Sequence, residues 1–234
     1  MWPTVPWLAG RVTGSRPAAG GGRWVPVGPE RLGGWLDRYA ERHGDLTWTA
    51  TAAAVIGDAT DGSGLHIEVP FPPLGAGALP DALVQHAVAR RQVGVLLVRL
   101  GGWAAGVFDG ERLISSKVDS RQVQGRTAAG GWSQQRFARR RAGQARVALA
   151  DAISVAERVL LPVAATLDGI VTGGDRTALK TVLAADSLAP LASLIVPRVL
   201  DVPDPRLRVL EATPPQFRAV WIRITEWDER SGDE

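Results

Sequence analysis

The chain has 234 residues, 27 Lys+Arg against 24 Asp+Glu for a formal net charge of +3, and 45% hydrophobic residues. That balance fits one large folded domain, or a domain with an arm, and excludes global disorder. Cysteine is absent and the three histidines (His43, His66, His86) show no HxH or HxxxH spacing, so disulfides, thiol nucleophiles and Cys/His metal sites are excluded and no metal is expected.

Residues 1–22 hold Pro3, Pro6, Pro17 and the run Gly20-Gly21-Gly22, with no periodicity and no cationic start before an apolar core. They read as a flexible N-terminal arm and not as a signal peptide, so a cytoplasmic location is expected. Arg23–Val27 reads as a short strand. Pro29 opens a helix with Leu32, Trp35, Leu36 and Tyr39 at i, i+3, i+4 and i+7, which Gly44 stops. Thr47–Ile56 is a β-branched, apolar run, followed by a turn cluster at Gly57–Gly64. Leu65, Ile67 and Val69 alternate as a half-buried strand with His66 on the solvent side. After a Pro/Gly-rich loop at 70–80, Asp81 caps a short helix ending near Arg91.

A β-meander comes next: Val93–Leu100, then Trp103–Phe108, then an Asp109-Gly110 turn into Glu111–Val118. Regular pattern is lost from Asp119 to Ser133, and a long helix follows from about Gln134 to Leu161, with Val147, Ala150, Ile153 and Val155 among its apolar positions. Pro162 ends it. Leu167–Val171 is a central strand, Asp175 caps a helix over Arg176–Ala184, and Leu194–Val202 and Val220–Ile224 are the last apolar runs. This order predicts an α/β (mixed α+β) fold, a mixed sheet flanked by helices with a long basic loop leading into a long helix. It is expected as one domain over 23–227 with an acidic tail at 228–234. Asp58, Asp61, Asp168 and Asp175 read as turn and cap residues, and His43 as a helix-end residue.

Charge is unevenly placed. Lys117 and Lys180 are the only lysines beside 25 arginines. Between Ser120 and Ala150 lie seven arginines (Arg121, Arg126, Arg136, Arg139, Arg140, Arg141, Arg146) and no acidic residue. A cationic stretch of that length is the footprint of a phosphate-binding surface; a solvated helix face is the plainer alternative.

Within it, Gly130–Arg141 reads GGWSQQRFARRR. Gly130-Gly131 permits close backbone approach to a ligand. Ser133 is a candidate cap, and the first N–H groups of the helix attract anions. Arg136, Arg139 and Arg140 fall on one helical face. Gln134 and Gln135 carry neutral amides, too weak as bases to replace His but able to orient a water while backbone N–H groups stabilise an oxyanion. Trp132, a large ring in a glycine loop, is a candidate base-stacking platform.

Gly130-Gly131 preceding Arg136-Phe137-Ala138-Arg139 resembles the Gly-Gly-Gln motif and following Arg-Phe-Ala-Arg of the middle domain of eukaryotic and archaeal class-one release factors. The chain is most similar to the Vms-one-like release-factor (VLRF) family in its actinobacterial-type form; VTGGDRTALKTVLAADSLAP at 171–190 resembles the family's strand–Gly–helix segment. The resemblance implies a release-factor middle-domain-like fold of ribonuclease H-like topology. It also implies a peptidyl-tRNA hydrolase acting on stalled ribosomes or large subunits in rescue and quality control, monomeric, with no cofactor and no membrane partner. Trp132 occupies the register of the family's Gln, and matching the family's Ser-Gln selects Gln134 as catalytic, with Gln135 second and Gly130 and Gly131 beside them. Arg121, Arg126, Trp132, Arg136, Arg139, Arg140 and Arg141 are then expected to contact rRNA and tRNA. The alternatives are a non-catalytic ribosome- or RNA-binding module, which Trp132 favours, and a nuclease cutting the tRNA acceptor end.

Overall fold

The computed structural model describes residues 14–19, 21–99, 101–120 and 133–226, with the backbone alone for 133–142. In chain order the first elements are β1 (Arg16–Pro17), β2 (Arg23–Val27), α1 (Leu32–His43), β3 (Leu46–Ala50), β4 (Ala54–Ala59), β5 (Gly64–Glu68) and α2 (Asp81–Val88). Next come β6 (Gln92–Arg99), β7 (Gly102–Asp109), β8 (Arg112–Ser120), α3 (Ser133–Leu160), β9 (Gly169–Gly174) and α4 (Arg176–Leu183). The last are β10 (Ile195–Leu200), α5 (Leu207–Glu211), α6 (Pro214–Arg218) and β11 (Val220–Thr225). The stretch expected as one domain divides into two compact units. One holds the residues up to Ala89 and those from Pro215 onward, the other Arg90–Pro214.

The first unit is a six-stranded antiparallel sheet ordered β1-β2-β11-β5-β4-β3. Inward positions of β4, β5 and β11 (Val55, Leu65, Ile67, Val220, Ile222) alternate with more exposed ones, as a sheet covered on one face requires. Leu32, Leu36 and Tyr39 of α1 and Leu83 of α2 complete that core. The predicted strand Thr47–Ile56 is two strands: the Thr51 hydroxyl accepts the backbone N–H groups of Ala53 (3.3 Å) and Ala54 (3.0 Å) and turns the chain. β4 then runs on to Ala59, through the predicted turn. Part of the predicted arm is not free either, because Arg16 and Pro17 pair with Trp24 and Arg23. Asp81 is the first residue of α2 and Pro80 the capping position.

The second unit has a five-stranded mixed sheet ordered β10-β9-β6-β7-β8. β10, β9 and β6 are parallel, whereas β6, β7 and β8 form the predicted meander. β6 is buried along nearly its whole length, as a central strand covered on both faces must be. α3 lays Ala148, Ala152, Val155, Ala156, Val159 and Leu160 against Leu96, Val98, Ala105 and Val107. This is a helical stripe, with alanines admitting close approach. Of the apolar positions anticipated on α3, Val155 is in the stripe but Val147 is 42% exposed. α5 and α6, and the 3₁₀ turns at Leu161–Thr166 and Asp186–Leu194, were not anticipated. Among the described residues no helix is long and apolar enough to cross a membrane.

Candidate functional site

β8 is the outer strand of its sheet and is mostly exposed, and the chain passes from its end at Ser120 to the start of α3 at Ser133. Gly130, Gly131, Trp132, Arg121 and Arg126 lie outside the described residues. Gln134, Gln135, Arg136, Arg139, Arg140 and Arg141 fall in the first turns of α3, where the backbone alone is described. Six predicted site residues thus share one helix terminus. Ser133 is its first residue.

The electrostatics of this terminus follow from the helix itself. The first four N–H groups of an α-helix have no intrahelical acceptor, and the macrodipole places partial positive charge there. Helices usually offset this with acids in the first turn, yet α3 has none there, and its first acid is Asp151. Arginine in the first turn adds repulsion of a few tenths of a kcal/mol. An anion placed at such a terminus would relieve that repulsion. The acids of the second unit with described partners are engaged in structure. Asp168 Oδ2 accepts the Gln92 N–H (2.7 Å), and Asp175 Oδ1 accepts that of Ala178 (2.8 Å), capping α4 as predicted. Asp109 receives two hydrogen bonds from the Arg90 guanidinium (2.6 Å each), which holds its carboxyl below the usual range. No group of three or more His, Asp or Glu residues suited to a metal occurs among the described residues.

In the first unit, His43, Asp61 and Ser63 meet, but not as a nucleophilic triad. Asp61 Oδ2 (2.8 Å) and the Ser63 hydroxyl (3.0 Å) both contact Nδ1 of His43, and Ser63, 3% exposed, donates its proton to Asp61. A relay needs serine and carboxylate on opposite ring nitrogens. The cluster locks the turn after α1, and the hydrogen bonds from Ser63, then from His43, hold Asp61 down at about 2. His66, expected in solvent, is half-buried with its ring edge-on to Trp24 at 6.1 Å. Burial, then the Arg223 charge, lowers its pKa, so it stays neutral at pH 7.

The same unit holds a groove of about 470 Å³ lined by Arg23, Trp35, Arg38, Tyr39, Arg42 and His43, among others. Sequence reasoning assigned these residues no binding role. The available signal was the i, i+4 repetition of Trp35, Tyr39 and His43 beside Arg38 and Arg42 on α1.

Residues 91–223 match the family model described as Actinobacteria/chloroflexi VLRF1 release factor, a match that spans all but the first residue of the second unit. No curated protein matches. Among solved structures, the archaeal translation termination factor aRF1 is similar with a TM-score of 0.41 and 17% identity, over 80% of this chain and 55% of that one. The Vms1 mitochondrial localization core gives a TM-score of 0.41 and 10% identity, over 76% of this chain and 77% of that one. Pelota of Archaeoglobus fulgidus gives 0.29 and 12%, over 89% and 67%. The chain spans about half the length of aRF1.

Proposed function

Because the chain belongs to the actinobacterial and chloroflexi VLRF1 release-factor family, we propose that it hydrolyses the ester joining a nascent peptide to tRNA on stalled ribosomes or large subunits. The observation that carries this reading is the acid-free, arginine-dense N-terminal half of α3 with Gln134 and Gln135 in its first turn. Arg136, Arg139, Arg140 and Arg141, with Arg121 and Arg126 before them, supply contacts to rRNA and the tRNA acceptor end, and Trp132 a surface for a base. Gly130 and Gly131 let the backbone approach the ester, and Gln134, with Gln135 beside it, positions the water.

The chemistry asks little of the protein beyond placement. The water oxygen bonds to the ester carbonyl carbon, the bond from that carbon to the terminal ribose oxygen breaks, and the ribose oxygen takes up a proton. The products are a free peptide acid and an intact tRNA. Holding water and ester in line replaces a bimolecular encounter, and a carboxamide with nearby N–H donors stabilises the developing oxyanion. The reading calls for no metal or organic cofactor, and a cytoplasmic location suits it.

Purified protein incubated with large subunits carrying peptidyl-tRNA tests it. Free peptide with intact tRNA is expected, with release reduced on the order of 100-fold by Gln134→Ala or Gln135→Ala. Unchanged release in both variants refutes the mechanism. Binding without cleavage establishes the non-catalytic module that Trp132 favours, and a shortened tRNA establishes the nuclease.

A further inference from the structure

α1 carries a second cationic surface, unrelated in sequence to the basic end of α3. The i, i+4, i+8 spacing of Trp35, Tyr39 and His43 stacks their rings into a column. The centroids are 5.6 Å apart for the first pair and 4.3 Å for the second, with interplanar angles of 16° and 28°. Arg38 and Arg42, also at i, i+4, form the adjoining ridge, and β2 adds Arg23 from the facing sheet. Arg23 pairs with Glu226 at 3.3 Å. Arg38 and Arg42 are exposed and have no hydrogen bond or ion pair to the described residues. Two unneutralised guanidinium groups one helical turn apart thus border a groove whose volume suits a small molecule or one unit of a polymer.

The composition of the groove selects the ligand. Guanidinium forks match phosphate oxygens in bidentate geometry. Trp35, half-buried at the end of the column, has Tyr39 stacked on it, and an aromatic face of this kind takes a nucleobase. Glu226 on the rim disfavours a ligand that is anionic throughout, such as a polyphosphate or an acidic peptide. What remains is a ligand with one anionic and one flat, neutral part. We propose that this groove binds a nucleotide unit of RNA, its phosphate on Arg38 and Arg42 and its base on Trp35. The site does not depend on the hydrolase reading, because binding is measured without any turnover.

The test is binding of fluorescein-labelled oligouridylate to the full chain by anisotropy, with UMP and inorganic phosphate as competitors. The oligonucleotide is expected to bind more tightly than UMP, and UMP more tightly than phosphate. Arg38→Glu combined with Arg42→Glu, both at exposed positions, lowers UMP affinity at least about 10-fold. Trp35→Leu, which keeps apolar packing, lowers it between about 5-fold and 150-fold. Circular dichroism verifies that the variants are folded. Phosphate competing as well as UMP, UMP binding as tightly as the oligonucleotide, or an affinity unmoved by the arginine pair overturns the proposal.

Discussion

Two glycines of the second unit predict alanine effects of opposite sign. Gly174 ends β9 at φ +105°, where a Cβ would lie 2.2 Å from the carbonyl oxygen of Val98 and 3.0 Å from its carbon. That same oxygen accepts the Asp175 N–H at 2.8 Å. Alanine must therefore hold a backbone conformation costing about 1–3 kcal/mol and displace a carbonyl whose hydrogen bond contributes about 1 kcal/mol. The sum is about 2–4 kcal/mol. Gly143 lies within α3 with nothing inside 4 Å of a built Cβ, so alanine there stabilises by about 0.5–1 kcal/mol. At roughly 2–4 °C per kcal/mol for a chain of this size, Gly174→Ala lowers Tm by about 5–15 °C and Gly143→Ala raises it by about 1–4 °C. Thermal melts combined with hydrogen exchange of the β6 and β9 amides, which isolates this unit's response, provide the measurement. A Gly174→Ala protein melting within about 1 °C of the parent refutes the close approach of β9 to Val98 and the strain argument with it.

Three further outcomes follow from particular interactions. Asp175→Ala removes the acceptor of the Ala178 N–H (2.8 Å) and costs about 1 kcal/mol by denaturant unfolding, whereas Asp175→Asn retains most of it; equal losses in the two variants exclude the cap. The Asp61 carboxyl titrates at about 2 by NMR instead of 3.8, and Ser63→Ala moves it upward. Because its folded pKa is the lower one, its contribution to stability is complete above the unfolded value and fades as pH falls from about 4 towards 2, so a midpoint near 4 removes it. Replacing Arg136, Arg139 and Arg140 by alanine flattens the dependence of log affinity for RNA on log salt by about 0.7–0.9 for each phosphate that is no longer neutralised; an unchanged slope means these residues face no phosphate.

Legibility in the sequence followed the strength of local pattern. The meander was readable because β6, buried on both faces, is a continuous apolar run and Gly110 follows Asp109 into the two-residue turn Gly110-Glu111. β11, covered on one face, was readable only as an apolar run. The break between β3 and β4 was hidden because Thr51 turns the chain by a side-chain hydrogen bond within a β-branched run. α5 and α6 span five residues each, too short to show a helical period, and their definition comes from packing such as that of Leu210 in the core. The two units were unreadable for another reason: β11 returns more than a hundred residues later to pair between β2 and β5. The α1 groove escaped likewise, drawing on β2, α1 and the end of β11. Of the predicted site, placement of the glutamines and four arginines on one helix terminus was legible, since composition and spacing alone determine it.

α3 divides its work along its length, and that division makes its charges informative. Between Gly143 and Val147 the residues are half-buried or exposed, and the fully buried stripe begins at Ala148. The packed half therefore anchors the helix, and a helix propagates from such an anchor one residue at a time. Like charges at Arg136, Arg139 and Arg140 oppose that propagation by about 0.2–0.5 kcal/mol for each i, i+3 or i+4 pair. A polyanionic partner reverses the sign of the same interactions. On this reasoning the N-terminal half becomes more helical when RNA is bound, and arginine replacements there weaken binding while leaving the melting of the packed half unchanged.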